Sequence, residues 1–309
     1  YGSAGVVTVT QDTDTPTVAE AGTDFVNSLK VDVTTADASI AAGDFYTIQQ
    51  RIEGLNWGRL GFGASGASSI TISFWVKSPK TGTHTVSVRN SASNRSYPAE
   101  YSVSSADTWE NKSVTIAGDT TGTWLTTNGI GAYIDWALAM GSTYHGTEGT
   151  WEAASDVSTS NQVNCMDNTA NNFYLTGVQL EVGAQSSDFE HRDIASELLR
   201  CQRYTWVHDG AKGATNSHIA FLHAINTTNA KGAIHPPAEM RATPTLTITG
   251  TIQGSVGGTL ADTAPTISGS GSQTIGLNVT RTGGWSAAND IALITHDGTG
   301  TKMIFDAEL

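Results

Sequence analysis

The sequence predicts an all-β protein: a sandwich or jelly roll, then one short helix, then a second, smaller β region. Three observations carry this. Only 15% of the 309 residues are charged and 38% are hydrophobic, so uncharged polar side chains must cover much of the surface. The 33 glycines suit many turns, and the abundant Thr suits pleated surfaces. Short runs of alternating polarity recur along the chain, separated by turn-forming residues.

The runs come in order. Residues 5–10 form the first, ended by the turn cluster Asp12-Thr13-Asp14-Thr15-Pro16. Residues 28–33 and 45–53 alternate next. Residues 70–77 are the clearest, with Ile70, Ile72, Phe74 and Val76 on one face. Pro79 and Gly82 then punctuate a turn before 84–89, where Val86 and Val88 are in phase. Residues 101–103 and 109–116 continue the pattern. Residues 130–139 are more continuously apolar, as an interior strand requires. The run 173–181 closes the series; Phe173, Leu175 and Gly177 share one face, and Tyr174, Thr176, Val178 and Leu180 the other. Residues 141–172 are a long polar stretch, predicted to serve function or to cover a sheet edge.

A helix is predicted from Asp193, its cap, to near Tyr204, with Ile194, Leu198 and Cys201 on one stripe and Ala195 and Leu199 widening it. Strands resume at 219–225, 232–235, 245–249, 274–280 and 291–295. Residues 250–271 read as an exposed loop or an irregular hairpin. The expected organisation is a sandwich domain over 1–192, a linking helix over 193–204 and a distal β-sandwich over 205–309.

Charge and motifs narrow the function. The net charge is −13 and the 16 Lys and Arg are scattered, which speaks against nucleic acid as a partner. No stretch reaches the roughly 20 apolar residues of a membrane helix, so no membrane insertion is expected. Tyr1-Gly2-Ser3-Ala4 is no initiator Met or signal peptide, and the chain reads as processed or as a fragment. Cys165 and Cys201 read as two buried thiols rather than one bridge. There is no nucleophile elbow, phosphate loop or H-E-x-x-H zinc pattern. His218 and His223, five apart, make a poor metal pair on a strand. No catalytic residue, metal or cofactor is expected; Glu148 and Glu152, flanking Trp151, are the best of weak sugar-cleaving candidates. Binding is the better reading. Sugar rings stack their C–H faces on aromatic rings, and their hydroxyls need polar partners. Trp57, Trp124, Tyr144, Trp151 and Trp206 lie in or beside loops, with Glu148, Asn56, Asn128 and Asp135 near them; these are the candidate glycan contacts. Trp75, Trp109 and Trp136 are assigned to the core.

Three segments carry a resemblance: Phe173-Tyr174-Leu175-Thr176-Gly177-Val178-Gln179-Leu180-Glu181-Val182-Gly183, then Phe189-Glu190-His191-Arg192, then Glu197-Leu198-Leu199-Arg200-Cys201-Gln202-Arg203-Tyr204. Together they resemble a signature of tail-fibre and other virion-surface proteins of bacteriophages. Residues 72–78, Asp107-Thr108-Trp109-Glu110, Gly141-Ser142 with Trp151, and 239–245 are similar to that family as well. The likeness runs from residue 1 to about 250. It implies a jelly roll like that of carbohydrate-binding modules over 1–192, a short helix and a distal β domain. It further implies a homotrimer on the virion surface, in a tail or head fibre, joined to other virion proteins, with more chain before residue 1. Such modules often hold a structural calcium through an Asp on the last strand; here Thr176-Gly177 stands in that place. The implied function is a fibre or spike subunit that recognises a host-surface glycan. The alternatives are a head fibre or capsid decoration protein with a purely structural role, or a carbohydrate-binding module detached from an enzyme. A depolymerase ranks last.

In the Glu181 carboxylate the sequence offers acceptors for nearby backbone N–H groups, and a clamp on the turn at Gly183 is expected.

Overall fold

A computed structural model describes residues 4–209, 218–256, 259–271, 273–285 and 291–309. Tyr1, Gly2 and Ser3, on which the reading of the chain's start rests in part, lie outside the described residues. The chain divides into two units, Tyr1–Glu190 and His191–Leu309.

The first unit is a sandwich of nine strands: β1 (Val6–Asp12), β2 (Ser28–Thr35), β3 (Phe45–Glu53), β4 (Ile70–Lys77), β5 (Gly82–Asn90), β6 (Ser96–Val103), β7 (Glu110–Ile116), β8 (Ile130–Met140) and β9 (Asn172–Val182). Two one-turn helices, α1 (Val18–Ala21) and α2 (Gly54–Trp57), lie between strands. One sheet has the order β1-β2-β9-β4-β7 and the other β3-β8-β5-β6, with every pairing antiparallel. The alternation in β4 works as expected: Ile70, Ile72, Phe74 and Val76 are wholly buried and share one core with Val86, Val88, Ile134, Trp136 and Leu138. Phe74 meets Trp136 and Tyr101 edge-on, with ring centroids 5.8 and 5.0 Å apart.

In β9 the alternation breaks. Thr176 pairs with Trp75 but Gln179 pairs with Ser73, so two residues of β9 face one of β4. Gly177 sits at this bulge with φ +58°, a left-handed conformation that favours glycine. A Cβ there would stand 2.8 Å from Phe25 Cζ. The bulge reverses the faces, so Leu180 packs against the core that Phe173 and Leu175 enter, and the expected grouping of Leu180 with Tyr174 is corrected. Glu181 clamps a turn later than expected, accepting the Ser187 N–H at 3.0 Å and its hydroxyl at 2.5 Å.

Residues 141–172 form a strap that covers a sheet edge, one of the two roles expected. Ser96 at the start of β6 exchanges both backbone hydrogen bonds with Glu152, and Gly149 N–H donates to Pro98 O. The strap also lies over the outward face of the four-stranded sheet, where Val157 packs on Ala137 and Met140. Asp135, on that face, is 0% exposed. It accepts from Arg89 Nε at 2.9 Å and from Gln49 Nε2 at 2.8 Å, and Arg89 also donates to Ser155 of the strap. Asp135 is therefore half of a buried ion pair and not a surface partner for sugar hydroxyls. Cys165 is buried, and burial pushes its thiol up to about 12. Cys201 is free and exposed, against the expectation of two buried thiols.

The second unit opens with α3 (Ile194–Gln202). Asp193 caps it as expected, accepting from Ser196 N–H at 2.9 Å. The helix ends two residues short of Tyr204, and its apolar stripe stays uncovered: Ile194 is 82% exposed, and Leu198 and Leu199 are exposed too. Among the described residues seven strands follow: β10 (Thr205–Asp209), β11 (His218–Ala224), β12 (Asn229–Ile234), β13 (Thr245–Val256), β14 (Thr259–Ser270), β15 (Ile275–Arg281) and β16 (Ile291–Asp306). They form one sheet in the order β10-β16-β11-β12-β15-β14-β13, and β13 pairs back onto β16. The sheet is thus closed into a barrel, which corrects the expected two-layer sandwich. The cause is the length of β16. One side of it pairs with β13 throughout, while the other side takes β11 and then β10. Of the stretch 250–271, residues 250–256 and 259–270 belong to the paired strands β13 and β14, the second of the two expected forms. Leu222, Ile252, Ile275, Leu277, Ile294 and Phe305 are among the buried residues of its core.

Candidate functional site

The strap brings its tryptophan to an aromatic cluster at one edge of the sandwich. After β3 the chain turns through α2, and Gly54 N–H donates to Gly129 O at 2.8 Å. This close approach seats Trp57 in the core, where it stacks on Trp124 at 5.6 Å and meets Phe62 edge-on at 4.9 Å. Trp151 closes the group, 5.5 Å from Trp124, 5.8 Å from Phe62 and 5.2 Å from Tyr97.

Polar bonds fix the rings. Trp151 Nε1 donates to Ala117 O at 2.7 Å and Trp124 Nε1 to Asp119 Oδ2 at 3.1 Å. Asp119 also takes two bonds from Arg95, at 2.8 and 2.6 Å, and the guanidinium lies 5.8 Å from the Trp151 ring centroid. Burial pushes the Asp119 carboxyl up, but the bonds from Arg95, Thr121 and Trp124 prevail and hold it below the usual range. Burial raises the Tyr97 hydroxyl, and the nearby Glu148 carboxylate raises it further. Glu148 is exposed and has no ion pair among the described residues.

The expected contacts thus separate. Trp57 and Trp124 are 1% and 7% exposed and offer no face to a ligand; they are the support beneath Trp151. Trp151 is half-buried, and Glu148, three residues before it in the strap, is exposed. Tyr144 lies elsewhere in the strap, edge-on to Phe45 at 4.9 Å. Trp206 belongs to the second unit, where it stacks on Phe305 at 5.1 Å. Asn56 and Asn128 are exposed. Of the tryptophans assigned to the core, Trp136 and Trp109 are buried and Trp75 is half-buried. Phe62, Tyr97, Arg95 and Asp119 were not foreseen: Phe62, Arg95 and Asp119 lie in loops, which carry no periodicity that would bring them together, and Tyr97 lies in the part of β6 that precedes the run read at 101–103.

The second of the two sugar-cleaving candidates, Glu152, is engaged within the strap. Glu152 bonds to Asp156 and accepts from Thr147 N–H at 3.1 Å, and Asp156 is buried against Ser96. Burial, and then the neighbouring Glu152 carboxylate, push Asp156 up. A raised folded value means that the contribution of Asp156 is fully present below the ordinary Asp range and is lost as pH rises through the folded value. Asp156→Asn should therefore raise the melting temperature at pH 7, with the gain vanishing in acid; a gain that is equal at pH 4 and pH 7 would refute the upward shift of the Asp156 carboxyl.

A hollow of about 380 Å³ is lined by Ile40, Met140, Ser142, His145, Gln162 and Asn164, among others, and has neither a Trp or Tyr face nor a carboxylate. Among the described residues no three His, Cys, Asp or Glu side chains converge as a metal site. No helix of the described residues is long and apolar enough to cross a membrane.

No protein-family model and no curated protein matches the chain. Among solved structures, the enzymatically active domain of tailspike protein 4 from bacteriophage CBA120 matches over 57% of this chain, with 14% identity and a TM-score of 0.29. This chain spans only 18% of that tailspike structure. A family 16 carbohydrate-binding module matches over 52% of this chain and 81% of its own, with 12% identity and a TM-score of 0.25. A CBM4 structure matches over 56% and 94%, with 14% identity and a TM-score of 0.27. These scores are too low to transfer a function.

Proposed function

We propose that the chain is a non-catalytic subunit of a bacteriophage fibre or spike, and that its first unit binds a host-surface glycan through Trp151 and Glu148. The observation that carries the reading is the bracing of Trp151. A partly open indole, fixed by its N–H and backed by three rings, is a rigid stacking surface that loses little entropy on binding. Glu148 beside it is a free acceptor for hydroxyls. The likeness of residues 173–204 to virion-surface proteins supplies the setting. Trp151→Ala should abolish glycan-array binding of the full chain while lowering stability little, because the ring sits at the rim. Array signals unchanged in that variant would sink the assignment.

An assembly role on the virion, as a head fibre or decoration protein, is favoured by α3. A nine-residue helix is too short to be stable alone, since helices of fewer than ~12 residues are marginal in water, and none of its residues is buried. Packing of its stripe in a homotrimer would supply what is missing. A monomer by light scattering would argue against it.

A further inference from the structure

Two histidines of the second unit share a hydrogen bond inside the barrel. His208 comes from β10 and His296 from β16; His208 Nδ1 and His296 Nε2 lie 3.2 Å apart, and the rings are nearly parallel at 21°. His296 is 0% exposed, and its Nδ1 has no partner among the described residues. A buried N–H without an acceptor is costly, so the proton of His296 belongs on Nε2, which donates to His208 Nδ1. Both bonded nitrogens are then committed. A proton added to His208 Nδ1 would face the His296 N–H and break the bond. A proton added to His296 would sit on Nδ1, where no acceptor stands. The strand that this bond holds is β10. Among the described residues it is the one strand of the barrel with a single neighbour, β16, and none of its five residues is fully buried. Its inward side chains are Trp206, stacked on Phe305 at 5.1 Å, and His208. The pairs Asp209–Lys302 at 3.6 Å and Thr205–Glu308 at 3.1 Å add surface contacts of small worth.

We propose that the His208–His296 pair is an acid-sensitive latch, which holds β10 on the barrel while both rings are neutral and releases it when either takes a proton. Release would bare Trp206 and the edge of β16 from Lys302 to Asp306, a row of backbone groups open to a partner strand. Few charges offset a proton here. Asp209 of β10, paired with Lys302 of β16, is the carboxylate whose charge reaches both rings. On β11, His218 is exposed and stands opposite Thr295, and β13 presents Ile252 opposite His296. Burial pushes both rings below the ordinary His range, and at His296 the charge of His208 pushes further; Asp209 opposes the shift at both. The contribution of each ring is therefore present above the ordinary His value of about 6.5 and is lost as pH falls through its lower folded value.

The test is hydrogen exchange of the full chain, corrected for the intrinsic pH dependence of amide exchange. Between pH 7 and pH 5 the protection of the β10 amides should fall at least about tenfold, as linked uptake of one proton requires, while the β12 and β15 amides keep theirs. The double variant His208→Phe with His296→Phe keeps two flat rings but takes up no proton, so its β10 should stay protected at pH 5. Independently of any variant, the imidazole nitrogen resonances of His208 and His296 should record proton uptake over the same pH interval as the loss of protection. Four results would each overturn the proposal: β10 protection unchanged at pH 5, a loss shared equally by β12 and β15, the same fall in the double variant, or both rings staying neutral while β10 opens.

Discussion

Asp135→Ala is expected to lower the stability of the first unit by about 3–5 kcal/mol, the usual effect of removing one partner of a buried ion pair. The loss would come less from the missing attraction than from what stays behind. Arg89 is nearly as buried as Asp135, with side-chain exposures of 7% and 0%. Without the carboxylate, its charge would keep, among the described residues, Ser93 and Ser155 as hydrogen-bond partners and the rings of Tyr133 and Phe45, whose centroids lie 5.2 and 5.7 Å away. Gln49 would lose its acceptor too. Domains are stable by only ~5–15 kcal/mol, so the change is a large share of the whole. Removing both charges with shape-conserving apolar residues, Arg89→Met with Asp135→Leu, should recover most of the loss. Chemical denaturation read through hydrogen exchange of the β5 and β8 amides separates this unit from the barrel. A loss below about 1 kcal/mol would mean that water reaches Arg89 beneath the strap.

How far the sequence shows this arrangement depends on which residues are asked. The Ile70 to Val76 alternation is a local pattern with one physical meaning, and it places β4 and its buried face correctly. Asp193 before an apolar stripe likewise marks α3. Where the signal is local but ambiguous, the reading slips. Gly177 looks like one more position in an alternating strand, and only its pairing with β4 reveals the bulge that turns Leu180 inward. The strand read at 291–295 covers only the first part of β16, so the barrel that its full length closes is missed. The candidate site depends on contacts between distant segments. Arg95 and Asp119 are 24 residues apart in loops of no regular period, and Trp57 and Trp124 read from the sequence as lying in or beside loops, which makes them candidates for ligand contact. Their burial follows from meeting one another, which no local pattern records.

That mutual packing makes Trp124 the residue on which the proposed binding surface depends most. Trp124→Ala is expected to lower stability by about 3–5 kcal/mol, as for a large aromatic removed from a core. It would remove the ring stacked on Trp57, the edge contact to Phe62 and the ring against which Trp151 rests. It would also take one donor from Asp119, the carboxylate that holds Arg95 near Trp151. Glycan binding should therefore fall along with stability, although Trp124 itself has no open face. Trp124→Phe separates the two effects. It keeps most of the ring but not the N–H, so its stability loss should be smaller, and any weakening of binding then reports on the Asp119–Arg95 link. The comparison with Trp151→Ala is decisive in form: that variant should lose binding with little loss of melting temperature, whereas Trp124→Ala should lose both. If Trp124→Ala keeps wild-type array signals despite a clear drop in melting temperature, the cluster is only core, and the rigid placement of Trp151 is not what binds.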